Sequence, residues 1–433
     1  MKAATFCRII NDCYIKPSLR NKYWDFSKLA KELQFITSNP EMDLRRLLLK
    51  DIRQYLSNKV QPVQGQNAER LRLAVEWLIY AQTTSADEGV SLGYFPCAGT
   101  HNGWHPSYPE TTGYIITSLL EYARQFDYAI AREAAIKMAW WEIGVQMPSG
   151  AVQGGPVTTQ DKQTPAAFNT GMVLDGLCSA YQETQEIAFL DAARKAADFL
   201  VQDLDKDGYF KTNGYYVSKG EVKTYTCLCA WALYRYGNLV DNHIYREAAA
   251  LSIEAALRQQ QDNGWFYHNC LSHSNSPLTH TIGYALQGIL EVGFLARRED
   301  FILAARKGVE PLLKAIAPTG FLAGRFYADW EPAAFYSCLT GSAQIAAVCF
   351  RLGEYTGNAL YAESANRLVD FLKAIQAIDS PNIAINGALA GSFPLSGGYM
   401  RNGYPNWATK YFIDALLLQE RYHQKTYNND QNA

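Results

Sequence analysis

Two kinds of apolar segment alternate along the chain. One kind is apolar on nearly every face: "TGYIITSLLEYA", "TGMVLDGLCSAY", "TCLCAWALYRYG", "IGYALQGILEVG" and "TGSAQIAAVCFRLG". A helix without a polar face has to be covered on several sides. Small residues such as Gly113, Gly171, Gly176, Ala230, Gly288 and Ala343 lie within these segments and let neighbouring helices approach closely. The other kind is amphipathic: in "FLDAARKAADFLVQDL", "IYREAAALSIEAALRQQ", "FILAARKGVEPLLKAI" and "YAESANRLVDFLKAI" apolar residues recur at helical spacing and the opposite face is charged.

The alternation is a repeat. A glycine followed by apolar residues marks each unit, at Gly93, Gly150, Gly208, Gly264, Gly320 and Gly391, in steps of 57, 58, 56, 56 and 71. A threonine early in each all-apolar helix keeps pace: Thr112, Thr170, Thr226, Thr281, Thr340 and Thr409, in steps of 58, 56, 55, 59 and 69. Pro109, Pro165, Pro277, Pro332 and Pro405 precede these helices and read as first-turn prolines, with Thr164 and Ser276 as N-caps. Each unit is therefore a glycine turn, a loop, a buried helix and an amphipathic helix. "AERLRLAVEWLIYAQ" supplies the first outer helix and "NWATKYFIDALLLQE" the last inner one.

Six such units predict an all-α protein, an (α/α)6 toroid of six helical hairpins with six inner and six outer helices. The alternative is an open solenoid, but a step of 55 residues or more exceeds the roughly 34–47 of common two-helix repeats. The toroid is expected over residues 63–433 and an N-terminal helical extension over 1–62. Within that extension "EMDLRRLLLKDIRQYL" reads as an amphipathic helix that packs on the ring or on a partner.

Composition narrows the function. The 433 residues are 48% hydrophobic and 19% charged, with a formal net charge of −2 and no basic run, so nucleic acid is not an expected partner. No apolar run is long enough to span a bilayer, and "MKAATFCRIINDCYIKP" lacks the apolar core of a signal peptide, so a cytoplasmic location is expected. The nine cysteines fit free, mostly buried thiols.

In a ring of this kind the long loops gather where the inner helices begin, and that face is the expected cleft. Five of the seven histidines fall there, His101, His105, His268, His273 and His280. Trp104, Tyr108, Trp265, Trp330, Tyr404 and Trp407 lie among Asn169, Arg325 and other polar residues. Rings that stack on C–H faces beside groups that bind hydroxyls suit a sugar; packing of the loops is the competing explanation. Glu110 follows Pro109 in the first turn of a buried helix, where the helix dipole should keep it ionised. The equivalent places in the other units hold Phe168, Thr224, Thr279, Cys338 and Trp407, so a mere helix-start role does not account for it. Glycoside hydrolysis uses two carboxylates about 5–9.5 Å apart, and Asp329 in "YADWEPAAF" is the candidate partner of Glu110. His280, directly before Thr281, is expected to point into the ring and move a proton. "HNCLSH" and the His101/His105 pair have no strong zinc spacing, "DLDKDG" reads as a surface turn, and no phosphate or dinucleotide motif occurs. No cofactor is expected.

"YPETTGY", "PLTHTIGYALQGILE", "CLTGSAQIA" and "YPNWATKYFIDAL" resemble helical-toroid proteins associated with bacterial surface-polysaccharide biosynthesis, over roughly residues 65–422. That broad group includes glycoside hydrolases, unsaturated glucuronyl hydrolases, polysaccharide lyases and sugar epimerases. The resemblance implies an enzyme acting on an oligo- or polysaccharide. The first expectation is acid/base cleavage of a glycosidic bond by Glu110, Asp329 and His280. The alternatives are elimination or epimerisation at a uronic acid, with His280 or Tyr108 moving the proton and Asn169 and Arg325 neutralising the carboxylate, or glycan binding without chemistry. "QQQDNGWF" is similar to a turn of terpene cyclases, whose acidic motif is missing.

Overall fold

The computed structural model describes residues 51, 54–55, 60–96, 101–212, 222–271 and 275–431. Twelve α-helices occur among them: α1 Asn67–Thr83, α2 Pro109–Phe126, α3 Ala129–Val145, α4 Ala167–Thr184, α5 Ile187–Asp203, α6 Cys227–Leu239, α7 His243–Leu257, α8 Thr279–Ala296, α9 Glu299–Ala315, α10 Leu339–Thr356, α11 Ala359–Ile375 and α12 Asn406–Gln431. The even-numbered helices pack side by side in a circle, α2 on α4 and so on to α12, which returns to α2. The odd-numbered helices cover them from outside. The fold is the (α/α)6 toroid, and the open solenoid is excluded by the contact of α12 with α1 and α2.

The repeat markers have physical causes. Inner helices meet at glycines: a Cβ on Gly176 would lie 2.2 Å from the Gly113 carbonyl oxygen, and one on Gly288 2.3 Å from that of Cys227. The conserved-looking spacing of threonines ties loops to helices. The hydroxyls of Thr112, Thr170 and Thr409 each accept a backbone N–H at 3.0 Å, from Val90, Val152 and Leu389. The turn glycines Gly150, Gly208, Gly264 and Gly320 sit at φ 85–88° against the backbone of the outer helix that follows. In the sixth unit that position belongs to Gly387, not to the expected Gly391. Gly387 has φ 93°, and a Cβ there would lie 2.2 Å from the Leu73 carbonyl oxygen of α1. The last unit thus treats the first outer helix as its own next helix, and the circle is closed.

The helix starts differ in detail from expectation. Pro109 does open α2, but Thr164 and Ser276 cap nothing: the residues before α4 and α8 are Ala166 and Leu278, both extended and without a capping side chain. Pro165, Pro332 and Pro405 instead lie in short bridged segments, where a missing N–H costs nothing at an unpaired edge. Side-chain caps occur on outer helices, from Glu186, Asn242 and Asn358. Two strand pairs stitch the mouth of the ring: β1 Gly93–Tyr94 with β4 Tyr404–Pro405, and β2 Ser337–Cys338 with β3 Ser392–Phe393. Most of residues 1–62 lies outside the described residues. Tyr55 donates to the Phe335 carbonyl at 2.7 Å and packs on Phe321, Phe335 and Phe393, so the end of this segment rests on the ring.

Candidate active site

Each inner helix turns one residue per turn toward the axis of the ring, because positions three and four apart share a face. The bore is therefore built in layers. At the mouth lie Glu110, Phe168, His280 and Trp407, each at the start of its helix or, for Phe168, in its first turn. One turn deeper lie Tyr114, Met172, Tyr284, Gln344 and Tyr411. Rings of this second layer touch one another, with Tyr114 and Tyr284 centred 5.5 and 5.9 Å from Tyr411. The third and fourth layers are polar and charged.

Glu110 is partly open at the mouth, but its carboxyl group is enclosed by aromatic side chains. It accepts a hydrogen bond from the Tyr108 hydroxyl at 2.6 Å. Burial raises its pKa to about 7, against the opposing effect of that bond. The expectation of a firmly ionised group at the helix start is thus reversed. Desolvation outweighs the dipole because no cation or backbone amide compensates it among the described contacts. Near neutrality the group is shared between acid and carboxylate.

His280 is buried, and burial lowers its pKa to about 4, so it is the neutral imidazole. Its Nδ1 lies 2.9 Å from Gln344 Oε1. An amide oxygen only accepts, so Nδ1 carries the proton and Nε2 is left as the acceptor. The ring sits against Tyr284 at 4.3 Å and Tyr399 at 5.6 Å. Tyr399 accepts from Trp407 Nε1 at 2.8 Å, and Trp407 meets Tyr108 edge-on. This chain of contacts joins Glu110 and His280 around one aromatic wall. The phenols of Tyr114, Tyr284, Tyr399 and Tyr411 all titrate well above their usual value, pushed up first by burial.

Asp329 is not brought to this wall. It is exposed on a turn, accepts the Glu331 N–H at 3.1 Å, and its neighbour Trp330 packs on Trp265. Several proposed sugar-binding residues hold loops together instead. Trp104 is buried among Trp77, Tyr80 and Tyr94. Trp330 donates to the Asn263 carbonyl at 3.0 Å. Asn169 donates to the Gln153 carbonyl at 3.0 Å, and Arg325 to the Ser276 carbonyl at 2.6 Å and the Tyr336 hydroxyl at 3.0 Å. Tyr404 is paired with Tyr94 in the strand pair. His105 is half-buried against Phe95. Tyr108 and Trp407 remain at the site. His273 lies outside the described residues. The residues missed were Tyr114, Tyr284 and Tyr411, each four positions after Glu110, His280 and Trp407, a spacing that could have found them.

Behind the tyrosine layer lies a cavity of about 250 Å³. Its acids are paired with cations: Asp414 with Lys410 at 2.6 Å, Glu291 with Arg351 at 2.7 Å, Asp175 with Arg235 and Glu121 with Arg421. No helix among the described residues is long and apolar enough to cross a membrane.

No family model matches the sequence. A stretch of 83 residues, 19% of the chain, is 32% identical to an uncharacterized protein of Caenorhabditis elegans, B0495.5, and covers 10% of that protein. The similar solved structures cover far more. An unsaturated glucuronyl hydrolase specific for heparin superposes with a TM-score of 0.67 at 14% identity, over 83% of this chain and 98% of that one. The unsaturated glucuronyl hydrolase of Bacillus sp. GL1, responsible for the degradation of glycosaminoglycan, gives 0.63 at 16%, over 81% and 97%. A D-mannose isomerase gives 0.62 at 12%, over 80% and 97%. At such identities it is the architecture that is common: this chain shares the six-hairpin toroid of unsaturated glucuronyl hydrolases and of a mannose isomerase.

Proposed function

We propose that the chain is a carbohydrate-processing enzyme whose acid/base residue is Glu110. The observation that carries this reading is the enclosed carboxyl with a pKa of about 7, placed where the toroid opens. A carboxylic acid that keeps its proton near neutrality can give it to a glycosidic oxygen or to a sugar carbon. His280 supplies the complementary acceptor at Nε2. In hydrolysis of an oligo- or polysaccharide, Glu110 protonates the leaving oxygen while His280 takes a proton from the attacking water. Tyr108 and Trp407 offer the wall on which a sugar ring stacks. This scheme replaces Asp329 by His280 as the second group, because no further carboxylate joins the Glu110 wall among the described contacts. The resemblance to polysaccharide-associated toroids favours a role in polysaccharide assembly or turnover.

The lone carboxyl favours a second reading, proton transfer within one sugar. There an acid and a neutral imidazole would exchange a proton between neighbouring carbons, as isomerisation or epimerisation requires. A screen of the purified protein against saturated and unsaturated uronides and neutral oligosaccharides, read by mass spectrometry in heavy water, separates the two. Gain of water on cleavage supports hydrolysis. Deuterium uptake without cleavage supports isomerisation. Turnover undiminished in Glu110→Gln would refute both.

A further inference from the structure

We infer that the cavity behind the tyrosine layer is a second binding site, for one neutral polyol of monosaccharide size. It is distinct from the Glu110 wall and does not depend on the reaction carried out there. Its volume of about 250 Å³ equals the share of roughly eight liquid water molecules, room for a single hexose and too little for a disaccharide. Its rim is formed by Arg421 and Glu121, whose side chains are 41% and 35% exposed, so it opens on the face where the inner helices end.

Two polar atoms facing this space have no partner. The Tyr114 hydroxyl belongs to a side chain only 2% exposed, and the Gln287 amide oxygen is enclosed too. Burial keeps the Tyr114 phenol protonated, so it is a donor, whereas the Gln287 oxygen is an acceptor. A buried polar group left unpaired is costly, and both costs are removed by a ligand that carries hydroxyls.

The charges select against an ionic ligand. Each acid of the cavity has its own cation, and Asp414 and Asp175 are further bonded by Ser118 at 2.5 Å and Thr117 at 2.8 Å. Lys410 is enclosed as well, 4.1 Å from the Tyr411 ring centre. A charged guest would have to break one of these buried pairs and leave an uncompensated ion. Neutral hydroxyls can use the remaining lone pairs and N–H groups without breaking any. Trp231 and Met172 add an apolar wall for the C–H face of such a molecule.

The test is calorimetric titration of the full chain with D-glucose, D-mannose and sorbitol, and with D-glucuronate as the charged counterpart. Three proteins are compared: wild type, Gln287→Leu and Glu110→Gln. Gln287→Leu removes an unpaired acceptor without adding bulk, so its fold should persist, which circular dichroism checks. Val348→Trp, which fills the cavity from its wall, is the second blocking variant. The expected result is saturable binding of at least one neutral probe, weakened tenfold or more by Gln287→Leu, abolished by Val348→Trp and unchanged by Glu110→Gln. Three results overturn the proposal. One is no saturable binding of any neutral probe, leaving only water in the cavity. Another is binding lost with Glu110→Gln but kept with Gln287→Leu, which would place it at the mouth. The third is a preference for glucuronate.

Discussion

Replacing Glu110 by glutamine should make the protein more stable and less active at once. The carboxyl has an ordinary pKa of 4.5 in the unfolded chain and about 7 in the folded one. A carboxyl whose pKa is raised on folding costs stability above its unfolded pKa, and the cost disappears below it. Between those two values the folded protein retains a proton that the unfolded chain has lost. Integrating the difference gives a penalty of about 3 kcal/mol at pH 7 and under about 1 kcal/mol at pH 5. The partial opening at the mouth makes the larger figure an upper bound. Glutamine has no charge to desolvate and still accepts from Tyr108. The melting temperature of Glu110→Gln should therefore exceed that of wild type by something on the order of 5 °C at pH 7, and by little at pH 5. Turnover should fall about 10²–10⁴-fold, the usual worth of a positioned general acid. Thermal unfolding followed by fluorescence from pH 5 to 8, beside turnover of the substrate found in the screen, measures both. A variant less stable than wild type, or a gap that does not grow with pH, would refute the account of Glu110 as a buried proton holder.

Other outcomes follow from the same structure. Tyr108→Phe removes the hydrogen bond that favours the carboxylate, so the pKa of Glu110 rises and the alkaline limb of the rate profile, where acid is lost, moves to higher pH. Glu142 on α3 is 0% exposed, has no partner on either oxygen, and is pushed well above its ordinary pKa by burial. The stability advantage of Glu142→Gln should grow by about 1.4 kcal/mol for each pH unit above the unfolded pKa until the folded carboxyl ionises, which denaturation at pH 5, 6 and 7 would show. Asp329→Asn should leave the maximal rate within about twofold of wild type, since exposed substitutions away from a site are near neutral. Gly264→Ala places a Cβ 2.2 Å from the Lys307 carbonyl oxygen at φ 86°, and a melting curve should show it destabilised by about 1–3 kcal/mol.

The architecture was readable because it is periodic. Helices with no polar face can exist only when covered on all sides, and two markers kept the same step, so the toroid followed before any coordinate. The site was only half readable. Glu110 stood out as the one carboxyl at its place in the repeat, and His280 as the one histidine before a marker threonine. Their protonation states were not readable from the helix start alone, because the enclosing rings come from α8, α12 and the 391–403 loop, far away in sequence. Trp104, Trp265 and Trp330 misled for a related reason: a tryptophan beside a polar group looks the same whether it meets a sugar or another loop. Gly391 was taken for a turn glycine because it precedes an aromatic residue, whereas Gly387 has the left-handed backbone and the close neighbour.

Closure of the ring has a consequence for how the protein comes into being. Asn406 donates to the Ser91 carbonyl and to Thr111 at 2.8 Å, across about 300 residues of chain, and Asn67 reaches Gln419 at 2.9 Å across 352. The seam joining first and last hairpins passes through the mouth, where Glu110 comes from one side and Trp407 from the other. Contacts of such sequence separation form late, because their loop-closure entropy falls due before they return any stabilisation. A chain emerging from the ribosome can assemble hairpins as they appear, yet it holds an open arc without a catalytic wall until α12 arrives. Activity is then a report that synthesis has run to the last helix, and shortening that helix would disable the first hairpin's carboxyl without touching it.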